Sequence, residues 1–250
     1  MVHLNRRVIA AAVLVLGACG GEGTTDTSLS AARVRYVHAI ADTGAVDVRV
    51  RGVLTVPLTA VPYGAATEYQ SVASGQLSVS SQPSPSTSID APRSIASLNG
   101  VAVAAGANVT LLATGEARDT VSGRAAGITG YIDDLAKPAS GQARLRLING
   151  SPDAGAVDVY ATLSGAALPA VPTFAGVDYR SAVSKTLPAG SYILTITPLS
   201  TPATVLATSS AVLPDGGVQT AVVRGYAGTI PPGVSTTRRI NATVMVNLAP

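Results

Sequence analysis

The sequence contains no tryptophan, one cysteine, one phenylalanine and two histidines among its 250 residues. A single cysteine excludes an intramolecular disulfide and a cysteine-based zinc site. No His-Glu-x-x-His, Cys-x-x-Cys or Gly-x-x-x-x-Gly-Lys segment occurs, which excludes zinc and P-loop chemistry at the level of motifs. Charged residues make up only 12% of the chain and form no long block, which argues against a disordered tail protein.

Long hydrophobic runs are also missing. The apolar run at the N-terminus, residues 8–16, is nine residues long and follows Arg6 and Arg7. As a helix it would span roughly 13 Å, whereas the hydrocarbon core of a bilayer is about 30 Å thick. A positive segment followed by a short apolar run is typical of a secretory signal peptide.

The residues that follow this run, Leu16-Gly17-Ala18-Cys19, resemble the bacterial lipobox. The only cysteine of the chain stands at the position that such a signal acylates. The resemblance implies cleavage before Cys19, lipidation of Cys19 and anchoring to the bacterial cell envelope, with Gly20 favouring the outer membrane where the host has one. Several acyl chains together hold a protein stably on a membrane. The alternative is an ordinary secretory signal with an incidental cysteine.

Cleavage changes the charge balance of the chain. Removing the predicted signal peptide, residues 1–18, deletes two of the 17 basic and none of the 14 acidic residues, which lowers the formal net charge from +3 to +1. The only later adjacent basic pair is Arg238-Arg239, so no basic patch favours nucleic acid. Residues 19–31 are rich in glycine, threonine and serine, which predicts a flexible tether.

The remaining sequence contains one unit twice. When residues 32–48 are placed over residues 143–159, nine of the seventeen positions are identical. The similarity continues to the end of the chain with small shifts, and it predicts two homologous domains, residues 32–137 and 143–250, joined by a linker at 138–142.

Both copies have the alternating pattern of β-strands. Val34 and Tyr36 fall on one face of the first strand, and Arg33 and Arg35 fall on the other. No window of twelve or more residues after the signal has a clear helical period, so the sequence predicts two tandem antiparallel β-sandwich domains. Further strands are predicted at residues 46–50, 76–81, 95–103, 109–114, 192–197, 205–213, 220–226 and 242–248.

The second copy, RLINGSPDAGAVDVY, resembles the signature of a bacterial family, domain-of-unknown-function family 4397. The matching residues are Arg146, Leu147, Ile148, Asn149, Ser151, Pro152, Asp153, Ala154, Val157, Asp158, Val159 and Tyr160. The first copy keeps Arg35, His38, Ala39, Asp42, Val46, Asp47 and Val48. It departs from the signature at Ile40, Ala41 and Arg49. The resemblance implies immunoglobulin-like sandwiches in an exported protein, and it implies no activity.

Four aspartates at repeated positions are the first candidate site. Asp42 with Asp47, and Asp153 with Asp158, are pairs five residues apart that could begin a Ca²⁺ site. The structural alternative has Asp153 capping free amides of its loop in an Asx-turn. In that alternative Asp47 and Asp158 pair with the arginines of the first strand of each copy, Arg33, Arg35, Arg144 and Arg146.

Four further acids are a second candidate. Asp133 and Asp134, with Glu116 and Asp119, could act as paired carboxylates in glycoside hydrolysis. The alternative, which we favour, is a solvated loop, because nothing in the sequence fixes their separation.

His38 is the only histidine after cleavage, and the second copy has Asn149 in its place. A catalytic triad could use a histidine, but no Gly-x-Ser-x-Gly segment accompanies it. We expect both side chains to hydrogen-bond loop backbone. Tyr63, Tyr69, Tyr179 and Phe174 are placed at matching positions, Tyr63 over Phe174 and Tyr69 over Tyr179, which favours core packing over a carbohydrate-stacking platform.

These observations predict a non-enzymatic, exported and lipid-anchored envelope protein without a cofactor, serving adhesion, envelope assembly or ligand display. Its expected partners are the membrane, through the lipid, and an envelope protein or polysaccharide. The alternative is a polysaccharide- or cell-wall-binding module. A hydrolase that uses the acidic residues is a weaker alternative.

Overall fold

The computed structural model describes residues 31–51, 58–85, 94–119 and 123–248. The predicted signal peptide, Cys19 and residues 20–30 of the predicted tether lie outside the described residues. Within the described part, no helix has the length and apolar character needed to cross a membrane.

The first unit consists of two four-stranded sheets. Its strands are β1 (Ala31–Ile40), β2 (Val46–Arg51), β3 (Leu58–Val61), β4 (Gln70–Ala73), β5 (Gly75–Pro83), β6 (Ala96–Val103), β7 (Asn108–Gly115) and β8 (Gly127–Ile132). The strand orders are β4-β1-β7-β8 in one sheet and β3-β2-β5-β6 in the other. All neighbours pair antiparallel except β1 and β7, which are parallel.

The second unit repeats this architecture strand for strand. Its strands are β9 (Gln142–Asn149), β10 (Val157–Leu163), β11 (Phe174–Val177), β12 (Ala182–Pro188), β13 (Gly190–Pro198), β14 (Ala207–Leu213), β15 (Val218–Arg224) and β16 (Asn241–Leu248). The orders are β12-β9-β15-β16 and β11-β10-β13-β14, with β9 and β15 parallel. A single 3-10 turn, Thr236–Arg238, precedes β16.

The alternation of the first strand produces the core of each sandwich. Val34 and Tyr36 of β1 point inward and are at most 3% exposed, and the Tyr36 hydroxyl lies 2.6 Å from the Ser81 hydroxyl of the opposite sheet. Leu145 and Leu147 occupy the same positions in the second unit and are fully buried. Burial on this scale contributes about 1.5–3 kcal/mol for each large apolar side chain.

The prediction of two tandem β-sandwich domains is confirmed. Each predicted strand corresponds to an observed one, and most of the predicted ends lie within about two residues of the observed ends. The sequence did not predict β3, β4, β8, β11 and β12, which are edge strands. The longest of these, β12, has five exposed residues among seven, so its apolar residues show no pattern of burial.

Candidate functional site: the junction between the two units

The two units pack against each other through one sheet of each. These are the sheets that contain β1 and β9, and the contact uses the faces opposite to their sandwich cores. The buried residues shared between them are Val37, Ala39, Leu112, Ile148, Val222 and Met245, with Ala66 and Tyr131 packed alongside. The junction is therefore a small hydrophobic core to which both sandwiches contribute residues.

Arg35 of the first unit reaches from this core into the second unit. Its Nε donates to the Thr110 hydroxyl at 2.9 Å on the neighbouring strand. Its two terminal nitrogens donate to the Val246 carbonyl at 3.1 Å and to the Asn247 side-chain oxygen at 2.8 Å, both on β16. The guanidinium thus ties β1 to the last strand of the other unit.

Arg146 makes the reciprocal set of bonds. Its Nε donates to the Thr220 hydroxyl at 3.2 Å, and one terminal nitrogen donates to the Ile132 carbonyl at 3.2 Å. The other terminal nitrogen forms an ion pair with Asp133. A contact in which each partner uses the same residues on the other is the signature of a two-fold interface. The junction consequently has a pseudo-two-fold axis.

Asp133 is the most enclosed acid at the junction. Its side chain is fully buried, and it accepts hydrogen bonds from the Tyr69 hydroxyl at 2.6 Å, from Thr110 and from Arg146. The prediction of a solvated loop is wrong for this residue. Burial, and the bond to Asp133, raise the pKa of Tyr69 above its ordinary range, so Tyr69 stays protonated as a donor.

The four acids considered for glycoside hydrolysis are not brought together. Asp133 donates its amide to the carbonyl of Asn108, the first residue of β7, whereas Glu116 follows the last residue of that strand. At about 3.3 Å per residue the two ends lie roughly 25 Å apart. Glycosidases place their two carboxyl groups about 5–10 Å apart, so this pair does not have the geometry.

The other two of these acids form ion pairs with arginines. Asp134 is exposed and pairs with Arg144. Asp119 lies 3.6 Å from Arg124, which also lies 3.4 Å from Glu116. Burial raises the pKa of Glu116 above its ordinary value.

Asp42 and Asp153 occupy equivalent places at the loop ends of the two units. Each accepts two successive amides from the loop that follows β7 or β15. The donors are Ala117 (2.6 Å) and Arg118 (2.9 Å) for Asp42, and Ala227 (2.8 Å) and Gly228 (2.9 Å) for Asp153. The predicted Asx-turn is wrong: Asp153 does cap free amides, but they belong to the loop after β15 and not to its own loop.

Asp47 and Asp158 hold an irregular turn of backbone within the sheet. Asp47 accepts the amide of Ala60 at 2.8 Å, and Asp158 accepts the amides of Gly176 at 2.7 Å and Ser200 at 2.8 Å. Ala60 and Gly176 both have left-handed backbone, with φ of 52° and 56°, at a bulge in β3 and β11. The aspartate supplies the acceptor that the bulge removes from the ladder.

The predicted pairing of these aspartates with the arginines of the first strand is wrong. The strands β1 and β2 lie in different sheets, as do β9 and β10, so the side chains are not cross-strand neighbours. Each of the four candidate metal ligands instead accepts backbone amides. In the described ranges, no group of three or more histidine, cysteine, aspartate or glutamate side chains is placed to hold a metal ion.

His38 and Asn149 both hydrogen-bond loop backbone, as predicted. The Nε2 of His38 lies 2.7 Å from the Gly44 carbonyl, and the side-chain nitrogen of Asn149 donates to the Gly155 carbonyl at 2.8 Å. Both residues are fully buried. Burial lowers the pKa of His38 to about 4, so the imidazole is neutral at pH 7.

The aromatic residues do not all pack in the cores. Phe174 is fully buried in the second core, as expected. The amide after Tyr63 donates to the His38 carbonyl, and the amide after Tyr179 donates to the Asn149 carbonyl, both at 2.7 Å. Tyr63 therefore corresponds to Tyr179, which corrects the predicted alignment. These two tyrosines and Tyr69 are half-buried beside arginines rather than in a core.

Two arginines of the second unit cover Tyr63 of the first. The guanidinium carbons of Arg238 and Arg224 lie 3.7 and 4.7 Å from the centre of its ring, within the range of cation–π attraction. Arg238 also donates to the Thr43 carbonyl at 2.8 Å. Sequence reasoning noted Arg238 only as part of a basic pair. The signal for its role was the lack of a neighbouring acid in its segment.

Comparisons with known proteins give a family and a distant likeness. No curated protein matches the chain. Among solved structures, the chain is similar to the Bacillus anthracis TIE protein, with 11% identity and a TM-score of 0.27. The match covers 79% of this chain and 34% of the other, so the chain spans about a third of that protein's length. A likeness of this size carries no argument about function.

A family model matches residues 32–160, which include the whole first unit and the first two strands of the second up to Tyr160. The matched segment thus crosses the junction and contains both Arg35 and Arg146. That the second unit is a further copy of the same family stays a prediction. With just over half of its length matched, the chain belongs to the family described as a domain of unknown function, DUF4397.

Proposed function

We propose that this chain is a lipid-anchored protein of the bacterial cell envelope whose folded part is a two-unit binding or scaffolding module. The observation that carries the proposal is the position of Cys19. It is the only cysteine of the sequence, and it directly follows Leu16-Gly17-Ala18 at the end of a short apolar run. A tether of about a dozen polar residues would separate the lipid from the folded part.

A non-enzymatic role is supported by the bonds of the chemistry-bearing side chains. His38 and the four repeated aspartates satisfy backbone groups, and Asp133 joins the two units. These residues are occupied in holding loops, bulges and the junction. We therefore assign the module to adhesion, envelope assembly or display of a ligand, with an envelope component as its partner.

The alternative of stacking a polysaccharide on aromatic rings has little support. All eight tyrosines lie in the described residues, and each is buried or half-buried. A stacking platform needs an open aromatic face. Recognition by polar or charged groups fits the surface better.

Metabolic labelling tests the anchor. Cells that express the full chain are grown with a clickable palmitate analogue, and the protein is compared with its Cys19→Ala variant. The control is Ala18→Gly, which keeps a small residue before the cysteine. We expect label in the native chain and the control, and none in Cys19→Ala. Label that persists in Cys19→Ala, or that is absent from the native chain, would sink the proposed anchor.

Crosslinking in living cells tests the module. A photo-reactive residue on the exposed face of either unit should give discrete adducts with an envelope component. Adducts that appear only with the chain itself would remove the binding role and leave a structural one.

A further inference from the structure

The loop ends of the two units differ in their balance of charge. In the first unit Arg124 stands between two carboxylates, with Glu116 at 3.4 Å and Asp119 at 3.6 Å. Its charge is neutralised within the unit. The side chain is 42% exposed.

The counterpart of Arg124 in the second unit is Arg238. The Glu116 amide donates to the Arg124 carbonyl at 2.8 Å, and the Tyr226 amide donates to the Arg238 carbonyl at 2.7 Å. Tyr226 thus replaces the first of the two carboxylates. No acid lies within ion-pair distance of Arg238 in the part of the chain that the structure describes.

A second cation adds to this imbalance. The last residue of β15 is Arg224, and the equivalent residue of β7 is Thr114. Arg224 donates through Nε to the Thr243 hydroxyl and is likewise without an ion pair among the described residues. The second unit therefore has two cations where the first has one cation and two acids.

The two guanidiniums contact the same ring, that of Tyr63. Their carbons lie 3.7 and 4.7 Å from the centre of the Tyr63 ring, so they are within about 8 Å of each other, the sum of those distances. Apart from the bonds to Thr43 and Thr243, their N–H groups have no acceptor in the described ranges. Each guanidinium has five N–H donors in a planar fork, so most of these donors are available.

The surroundings do not cancel the charge. The nearest acid is Asp42, whose two oxygens accept the amides of Ala117 and Arg118. Neutral His38 packs edge-on against Tyr63 with the ring centres 5.9 Å apart. Burial, and then the charge of Arg224, lower the pKa of Arg238 below its ordinary value. A bound anion would relieve that repulsion.

We propose that Arg224 and Arg238, stacked on Tyr63 between the two units, bind an oxyanion of the phosphate type. Guanidinium forks match the geometry of phosphate oxygens, and each charge-assisted bond is about 2.7–2.9 Å long, so one tetrahedral anion reaches both side chains. Both arginines come from the second unit and the tyrosine ring comes from the first, so the site is complete only when the units are packed together. This inference deepens the proposed function by naming the chemistry of a ligand, and it does not depend on the lipid anchor.

Calorimetric titration of the full chain in a neutral detergent tests the site. The probes are inorganic phosphate and a glycerol phosphodiester, each at constant ionic strength set with chloride, because screening weakens such sites. We expect inorganic phosphate to bind saturably, with a dissociation constant below about 10 mM. Binding of both probes would assign a phosphate group carried by an ester or polymer, and binding of inorganic phosphate alone would assign the free ion. Binding of neither probe would overturn the proposal.

Variants locate the binding. Arg238→Gln and Arg224→Gln should each weaken phosphate affinity about tenfold or more, whereas Arg238→Lys should fall between Arg238→Gln and the native chain. The matched control is Arg124→Gln, the neutralised counterpart, which should change affinity less than about twofold. An equal loss in Arg124→Gln and Arg238→Gln would reject the site.

A second measurement covers variants that fold poorly. Phosphate added to the native chain should shift the NMR resonances of the Arg224 and Arg238 side-chain Nε–H groups and leave that of Arg124 in place. Unchanged resonances of both Arg224 and Arg238 at saturating phosphate would also reject the proposal. If the native chain carries no lipid label but still binds phosphate, the proposed anchor is wrong and the proposed phosphate site stands.

Discussion

The two units have the same strand order but do not present the same side chains to the junction. The arginine pair Arg35 and Arg146 is symmetric, yet Arg35 meets the neutral Asn247 where Arg146 meets the charged Asp133. A shared backbone therefore carries an ion pair on one side of the pseudo-two-fold axis and a neutral hydrogen bond on the other. The duplication preserved the architecture and let the two faces specialise.

The two units also differ in the size of the side chains that they place at equivalent positions of the junction. A Cβ on Gly64 would lie 2.7 Å from the guanidinium carbon of Arg224, and the equivalent of Gly64 in the second unit is Arg180. Arg180 in turn reaches over to the Ala125 carbonyl at 2.6 Å, beside the small Thr114 that replaces Arg224. Each side of the pseudo-two-fold axis is thus filled by one arginine. Two copies of the first unit would place no arginine on either side, and two copies of the second unit would place two arginines on each side. The side chains at the junction therefore fit a pair of unlike units.

The largest expected effect comes from the charged side of the axis. Asp133→Ala leaves Arg146 as a buried charge without its partner, which typically costs about 3–5 kcal/mol of unfolding free energy. Asp133→Asn copies the Asn247 arrangement and should cost clearly less, because an amide oxygen still accepts from Arg146. Urea unfolding measures both. Equal losses would mean that the charge rather than the hydrogen bonds carries the contact, and that the neutral arrangement at Asn247 cannot serve on this side of the axis.

The next largest effect is the dependence of stability on pH, because His38 can take up a proton and its counterpart Asn149 cannot. The pKa of His38 in the folded chain is about 4, below the 6.5 of an unfolded chain. The unfolded state therefore binds the proton first, and stability falls as the pH drops from about 6.5 toward 4. The loss approaches about 3 kcal/mol.

His38→Asn gives this position the residue of the second unit and should flatten that part of the pH profile. The measurement is the free energy of unfolding at a series of pH values for both proteins. An unchanged slope in the variant would show that other groups cause it.

The sequence was informative where the repeat and the alternation acted together. Nine identical positions and the inward pattern of Val34 and Tyr36 were enough to predict two sandwiches, because burial of an alternating face is a local consequence of strand geometry. The outward arginines of the same strand were assigned to nearby aspartates. Arg35 of β1 instead binds Asn247, which lies 212 residues away in the other unit. Its counterpart Arg146 binds Asp133, which follows β8 on the other side of the junction. Packing between units leaves no local pattern, so neither these contacts nor the site at Tyr63 could be derived.

The loop caps test whether the equivalent aspartates contribute equally. Asp42→Ala and Asp153→Ala each remove a carboxylate that accepts two amides, and hydrogen bonds to charged groups contribute about 1.5–3 kcal/mol. We expect each variant to lose about 2 kcal/mol in urea unfolding. The exposed Asp178→Ala serves as a control with little change. A much larger loss for Asp42 would indicate that its proximity to Arg238 matters more than its cap.

The smallest effect concerns the left-handed bulge that Asp47 and Asp158 hold. The first unit has Ala60 there with φ of 52°, and the second unit has Gly176 with φ of 56°. A left-handed conformation costs a residue with a Cβ about 1 kcal/mol more than glycine. Ala60→Gly should therefore stabilise the chain by several tenths of a kcal/mol, after the added entropy of the unfolded chain, and Gly176→Ala should destabilise it by about 1 kcal/mol. Thermal unfolding of the two variants, with the double exchange as a check on additivity, decides the matter. Shifts of the same sign would mean that the two bulges are not equivalent, although their aspartates bond them alike.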